Sequence, residues 1–173
     1  MSLYMYSVNE SKAQKESSNL NNRVVKLLTP AGTYVGNMSV YSGMRTLDIL
    51  NTKQTIPETH ESILENFLEL NDVHTPRGNR ELVRVQKKKI VCAMDYFQNL
   101  GVEQERLGKE GEELEFYLST NWSVKGKVLN FIPSSKYRQF IAVSEADMYT
   151  DKMKFKTPFV AVNKDYIIDY HPL

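Results

Sequence analysis

Two stretches of this chain read alike: Glu81-Leu-Val-Arg-Val-Gln-Lys-Lys-Lys-Ile-Val-Cys92 and Pro158-Phe-Val-Ala-Val-Asn-Lys-Asp-Tyr-Ile-Ile-Asp169. At one constant spacing Val83 meets Val160, Val85 meets Val162, Lys87 meets Lys164 and Ile90 meets Ile167. Leu82/Phe159, Gln86/Asn163 and Val91/Ile168 are close substitutions. In each stretch a β-prone run alternates large apolar residues, breaks at a short polar turn and resumes with two branched residues, the pattern of two strands around a tight turn.

The likeness extends outward. Phe67-Leu-Glu-Leu-Asn-Asp-Val73 matches Phe140-Ile-Ala-Val-Ser-Glu-Ala146, Leu27-Leu28-Thr29 matches Leu118-Ser119-Thr120, and Gly36 matches Gly126. All three blocks keep their order, which reads as an internal duplication. The second copy lacks most of the segment Arg45–Asn66; over His60–Leu68, Ile63, Leu64, Phe67 and Leu68 fall at helical spacings, with a strand favoured from Phe67 onward. Each copy spans roughly 60–75 residues, too few for a large core of its own, so the two are expected to share an interface.

Around the copies the composition changes. Ser7 to Asn22 is nearly all small polar or charged residues and reads as a disordered tail. Asn99 to Glu113 carries five Glu and three Gly and reads as an acidic linker. The expected organisation is a tail over 1–22, repeat 1 over 23–97, a linker over 98–113 and repeat 2 over 114–173. The turn Thr29-Pro30-Ala31-Gly32 separates two strands, and Gly36 marks a sharp bend or a close backbone approach.

Each copy thus reads strand, turn, strand with a glycine, strand, loop, and two short strands around a four-residue turn. In copy one the turn pattern is Val25-Lys-Leu-Leu-Thr-Pro-Ala-Gly32-Thr-Tyr-Val-Gly36-Asn-Met38, and in copy two Phe116-Tyr-Leu-Ser-Thr-Asn-Trp-Ser-Val-Lys-Gly126-Lys-Val128. These patterns, with the two paired stretches above, resemble the Sm-like small β-barrels. Copy one, with Arg45-Thr-Leu-Asp48-Ile-Leu50-Asn51, is similar to an uncharacterised group of bacterial Sm-like proteins. The resemblance implies a mostly β chain of two tandem Sm-like (SH3-like) β-barrels with a short helical insert in the first. It also implies association through strand edges, the way Sm-like units form rings. Gly32, Gly36 and Gly126 are the expected structural turn residues.

The chain departs from the RNA-binding Sm pattern. Gly32 and Gly36 are four apart rather than five, and Asn121 stands where the second copy would have its first glycine. The last turns, Gln86-Lys87-Lys88-Lys89 and Asn163-Lys164-Asp165-Tyr166, lack the Arg and Gly that flank a stacked base. Asn37-Met38-Ser39-Val40-Tyr41-Ser42-Gly43 approaches the cyclic-dinucleotide element of PilZ domains, but it carries one residue too many and no double arginine precedes it.

Composition and motifs narrow the function. The 173 residues hold 22 Lys+Arg against 21 Asp+Glu, a net charge of +1, which lacks the basic excess usual in nucleic-acid binders. The single cysteine, Cys92, cannot form an internal disulfide and lies in an apolar run, which reads as a core residue rather than a nucleophile. No apolar run is long enough to span a membrane, and a cytoplasmic location is expected. His60, His74 and His171 lie in separate segments without metal-ligand spacing, and no nucleophile elbow, P-loop or zinc-protease motif occurs. Asp48 reads as a local turn cap.

The expectation is a non-enzymatic binding or assembly module, with no catalytic residue, cofactor or metal, that pairs with itself or a protein partner. The alternative is RNA or single-stranded nucleic-acid binding through the basic turn, with Arg84, Lys87, Lys88, Lys89 and Lys164 as phosphate contacts. Against that stands the simpler reading of the lysines as a solvated turn that guards an edge strand. Tyr34 and Trp122 are expected at similar places in the two copies, and the tyrosines 149, 166 and 170 suit a protein interface.

Overall fold

The computed structural model describes residues 20–41, 46–51, 66–95, 111–128, 131 and 138–173. Strands β1 (Leu20–Thr29) and β2 (Gly32–Tyr41) form a hairpin over Pro30-Ala31. A short helix α1 (Thr46–Asn51) follows, then β3 (Phe67–Thr75), β4 (Gly78–Gln86), a 3-10 turn (Lys87–Lys89) and β5 (Cys92–Asp95). The second half runs β6 (Glu112–Leu118), β7 (Ser123–Val128), β8 (Phe140–Tyr149), β9 (Lys154–Asn163), a 3-10 turn (Lys164–Tyr166) and β10 (Ile167–Pro172). The expected tail thus gives its last three residues to β1, and the expected linker its last two to β6; residues 1–19 and 98–110 lie outside the described residues. Of the helical spacing read over His60–Leu68, Ile63 and Leu64 also lie outside the described residues, while Phe67 and Leu68 begin β3; α1 forms earlier in the chain.

The protein is mostly β. Its strands join one antiparallel sheet in the order β10-β6-β7-β8-β9-β5-β1-β2-β3-β4. Neither half closes into a separate barrel, as the sequence had suggested. The reason is local: β5 uses one edge for β1 and gives the other to β9 of the second half. The five strands of each half follow the same order, β5-β1-β2-β3-β4 and β10-β6-β7-β8-β9.

Fine detail follows the same order. The β2–β3 register shifts between Val35 and Asn37, and the β7–β8 register between Lys125 and Lys127, so each shift is centred on a glycine. A Cβ on Gly36 would sit 3.1 Å from the Asn71 carbonyl oxygen, and one on Gly126 only 2.7 Å from that of Ser144. Opposite these glycines the facing strands bulge at Asp72 (φ 49°) and Glu145 (φ 50°), which lets the strand coil sharply. The 3-10 turns are flanked alike: Gln86 (φ −61°, ψ 123°) and Ile90 (φ −79°, ψ 119°) in one, Asn163 (φ −75°, ψ 120°) and Ile167 (φ −77°, ψ 117°) in the other.

One sequence block moves. Leu28 lies opposite Cys92 and Tyr117 opposite Asp169, so Leu27-Leu28-Thr29 corresponds to Phe116-Tyr117-Leu118, two residues before the match expected. The β6–β7 turn is longer than the β1–β2 turn; Leu118 N–H donates to the Trp122 carbonyl (2.8 Å), and Asn121 takes φ 63°. Tyr34 consequently faces Leu27 at the place held by Val124 opposite Phe116, whereas Trp122 sits in the turn against Phe155.

Two cores flank the middle of the sheet, and each draws on both halves. Ala93 joins the first-half core beside Phe140, Phe159 and Ala161 of the second half. Its strand neighbours Cys92 and Met94 point the other way, into the second-half core, with Leu28 and Val91. Alternation across a strand thus feeds two cores at once. That is why Ile90-Val91-Cys92-Ala93-Met94 and Phe159-Val160-Ala161-Val162 are unbroken apolar runs, all fully buried.

Candidate functional site

The sequence-derived contact residues part company in the structure. Lys87, only 8% exposed, points inward and its Nζ donates to the Ile49 carbonyl at 2.7 Å, near the end of α1. Lys88 and Lys89 are exposed. Arg84 lies on outer strand β4 and pairs through Nε with Glu69 Oε2 at 2.9 Å. Lys164 is half-buried; burial lowers its pKa, partly countered by the Asp165 carboxylate next door. The β5–β9 pairing does bring the two 3-10 turns together, and Tyr166 Oη donates to the Lys88 carbonyl at 3.3 Å. The result is a junction between the halves, with one lysine of the basic turn turned into the protein.

Asn163 pins that junction, and it is wholly buried. Its amide donates to the Ile90 carbonyl (2.9 Å), while its oxygen accepts from Gln139 Nε2 (2.6 Å) and from the Asp165 backbone N–H (3.0 Å). Its own backbone N–H donates to the Val91 carbonyl (2.9 Å). Asn51, at the end of α1, donates to the Phe140 carbonyl (3.0 Å) and accepts from the Phe140 N–H (2.8 Å), so a side-chain amide pairs with the strand as another strand would. Asp95 accepts from Thr46 Oγ1 (2.6 Å) and Arg23 Nη1 (3.5 Å), tying helix, β1 and β5 together. Sequence reading had Asn51 only as the last residue of the Arg45–Asn51 segment, did not single out Asp95, and saw Asn163 only as the counterpart of Gln86 and part of the second turn. Their partners lie 49 to 89 residues away for Asn51 and Asp95–Thr46, a distance no local pattern reports.

Among the described residues no group of three or more His, Cys, Asp or Glu could hold a metal. Cys92 is fully buried, and burial pushes its thiol pKa up, away from nucleophilic use. His171 sits 3.0 Å from Glu115 on β6, His74 is exposed on β3, and His60 lies outside the described residues. Asp48 lies in the first turn of α1. No helix of the described residues is long and apolar enough to cross a membrane.

The sheet edges remain. Among the described residues β4 pairs only with β3, and β10 only with β6. Beside β4 lies a pocket of about 390 Å³, lined by Pro30, Tyr34, Val83 and Val85 with Arg84 and Lys89 at hand. Both edges carry exposed apolar side chains: Leu82 (48%) on β4, and Ile168 (60%) and Tyr170 (43%) on β10. Comparison with family models, curated proteins and solved structures finds no match for the chain.

Proposed function

We propose that the chain is a duplicated Sm-like protein, each half an open small-barrel unit, and that it is a non-enzymatic assembly module. It associates with itself or a protein partner through its two outer strands. The observation that carries this reading is the junction in the middle of the sheet. There the fifth strand of one half pairs with the fourth strand of the other, and a fourth strand and a fifth strand are left over at the ends. An unpaired strand presents a row of N–H and C=O groups that another strand can satisfy. Nucleic-acid binding is the weaker reading, because Lys87 Nζ is committed to the Ile49 carbonyl and Arg84 to the Glu69 carboxylate.

The test is light scattering with amide hydrogen exchange over micromolar concentrations. The expected result is a mass above the 20.0 kDa of one chain, or a partner-dependent complex, with protection along β4 and β10 that is lost on dilution. A mass fixed at 20.0 kDa, with both edges exchanging fast whatever is added, overturns the proposal.

A further inference from the structure

The geometry points to a specific occupant for the free edges: β10 of one copy of this chain pairs antiparallel with β4 of a second copy. Asp169 then stands opposite Val85 and Tyr170 opposite Arg84. This rests on the assembly reading above and deepens it by naming partner and register.

The argument is a translation of the internal junction. There Cys92 faces Val162 and Ala93 faces Ala161. The spacing that carries Val83 to Val160 carries Cys92 to Asp169 and Ala93 to Tyr170, and brings Val162 back to Val85 and Ala161 back to Arg84. Backbone geometry supports the transfer, because the two 3-10 turns between these strands have closely matching flanking angles. The β1–β5 and β6–β10 ladders also set Cys92 and Asp169 at the same place. Every residue of β5 is buried, whereas β10 is exposed along nearly its whole length; the last five residues of β9 are buried, whereas most of β4 is exposed. The same positions are covered where the junction exists and bare where it does not.

Pocket and charge fit the same occupant. In the internal junction Val91 and Cys92 of one half enter the core of the other. Their counterparts Ile168 and Asp169 would meet the pocket beside β4, whose apolar wall of Tyr34, Val83 and Val85 suits the isoleucine. Lys89 at that pocket suits the aspartate, while Arg84, on the opposite face of β4 from Val85, holds Glu69. Because the two edges differ, the contact is head-to-tail, and successive copies either close a ring or extend a filament.

The experiment oxidises the double variant Arg84→Cys/Tyr170→Cys. Facing residues of an antiparallel pair lie at about 4.5–5.5 Å between Cα atoms, within disulfide range. Both positions are exposed, and Cys92 is too buried to compete. The expected result is a covalent ladder of chains on non-reducing gels, absent from either single variant. In parallel Ile168→Asp, a change at an exposed position, lowers the association constant at least tenfold while the circular dichroism of the chain is kept. An assembly that gives no ladder, that ladders through one cysteine alone, or that ignores Ile168→Asp overturns this pairing and leaves edge assembly with another register or partner standing. A chain that neither ladders nor exceeds 20.0 kDa, with fast-exchanging edges, overturns both.

Discussion

Replacing Asn163 with alanine tests how the two halves are held together. The side chain is fully buried and makes three hydrogen bonds, at 2.6, 2.9 and 3.0 Å. Gln139 is half-buried and Asp165 exposed, so both lost partners can turn to water. The Ile90 carbonyl cannot, since Ile90 is wholly buried, and an orphaned buried acceptor costs about 1–3 kcal/mol. With the net value of the other bonds, roughly 1 kcal/mol each, the expected loss is about 3 kcal/mol. In a chain of this size that lowers the melting temperature by about 6–12 °C. Gln86 holds the corresponding place on the free edge, is only half-buried and makes no cap hydrogen bond, so Gln86→Ala should cost no more than about 0.5 kcal/mol. Asn163→Asp keeps both acceptor contacts but sets a carboxylate against the Ile90 carbonyl. It should be at least as damaging at neutral pH, and part of the loss should be recovered as pH falls and the carboxyl gains a proton to donate. The assay is urea unfolding followed by tryptophan fluorescence, with all variants at one chain concentration so that association does not confound them. A loss below about 1 kcal/mol for Asn163→Ala, or equal losses at Asn163 and Gln86, would refute the reasoning.

Gly126→Ala should destabilise by about 1–3 kcal/mol, because its Cβ would meet both the Ser144 carbonyl and Val143 at 2.7 Å; Gly36→Ala, with contacts at 3.0–3.2 Å, should cost less, and thermal melts of the pair would show the order. Lys87→Ala should lose about 1.5–3 kcal/mol with the charged hydrogen bond to Ile49, whereas Lys88→Ala and Lys89→Ala should stay within about 0.5 kcal/mol; similar losses at all three would contradict the inward position of Lys87. The Cys92 thiol, buried with its pKa raised, should resist Ellman's reagent at pH 8 until the chain unfolds, and rapid labelling of native protein would count against that burial.

Much of the fold is written in local pattern. The unbroken apolar runs at Ile90–Met94 and Phe159–Val162 mark strands buried on both faces, and both Gly36 and Gly126 sit where a Cβ would strike the facing backbone. The Thr-Pro-Xaa-Gly segments at Thr29 and Thr75 both form turns in which the threonine hydroxyl bonds across the loop to the glycine carbonyl. The alignment of Leu27–Thr29 slipped by two residues because a large apolar residue recurs every second position in β6, at Leu114, Phe116 and Leu118, and only the ladder with β10 fixes which one counts. The candidate site was less legible. Lys87, Lys88 and Lys89 are indistinguishable as a run of lysines; the approach of α1, 38 residues away in the chain, turns the first inward.

The sequence by itself determined the strands, their tight turns and the parallel course of the two halves, because side-chain alternation, turn chemistry and glycine spacing act over a few residues. Tertiary structure alone decided that β5 would pair with β9, so that ten strands make one sheet instead of two closed barrels. A strand carries two rows of hydrogen-bonding groups whatever its side chains. Which row meets which neighbour is settled by packing, here by two cores that both take side chains from β5 and β9.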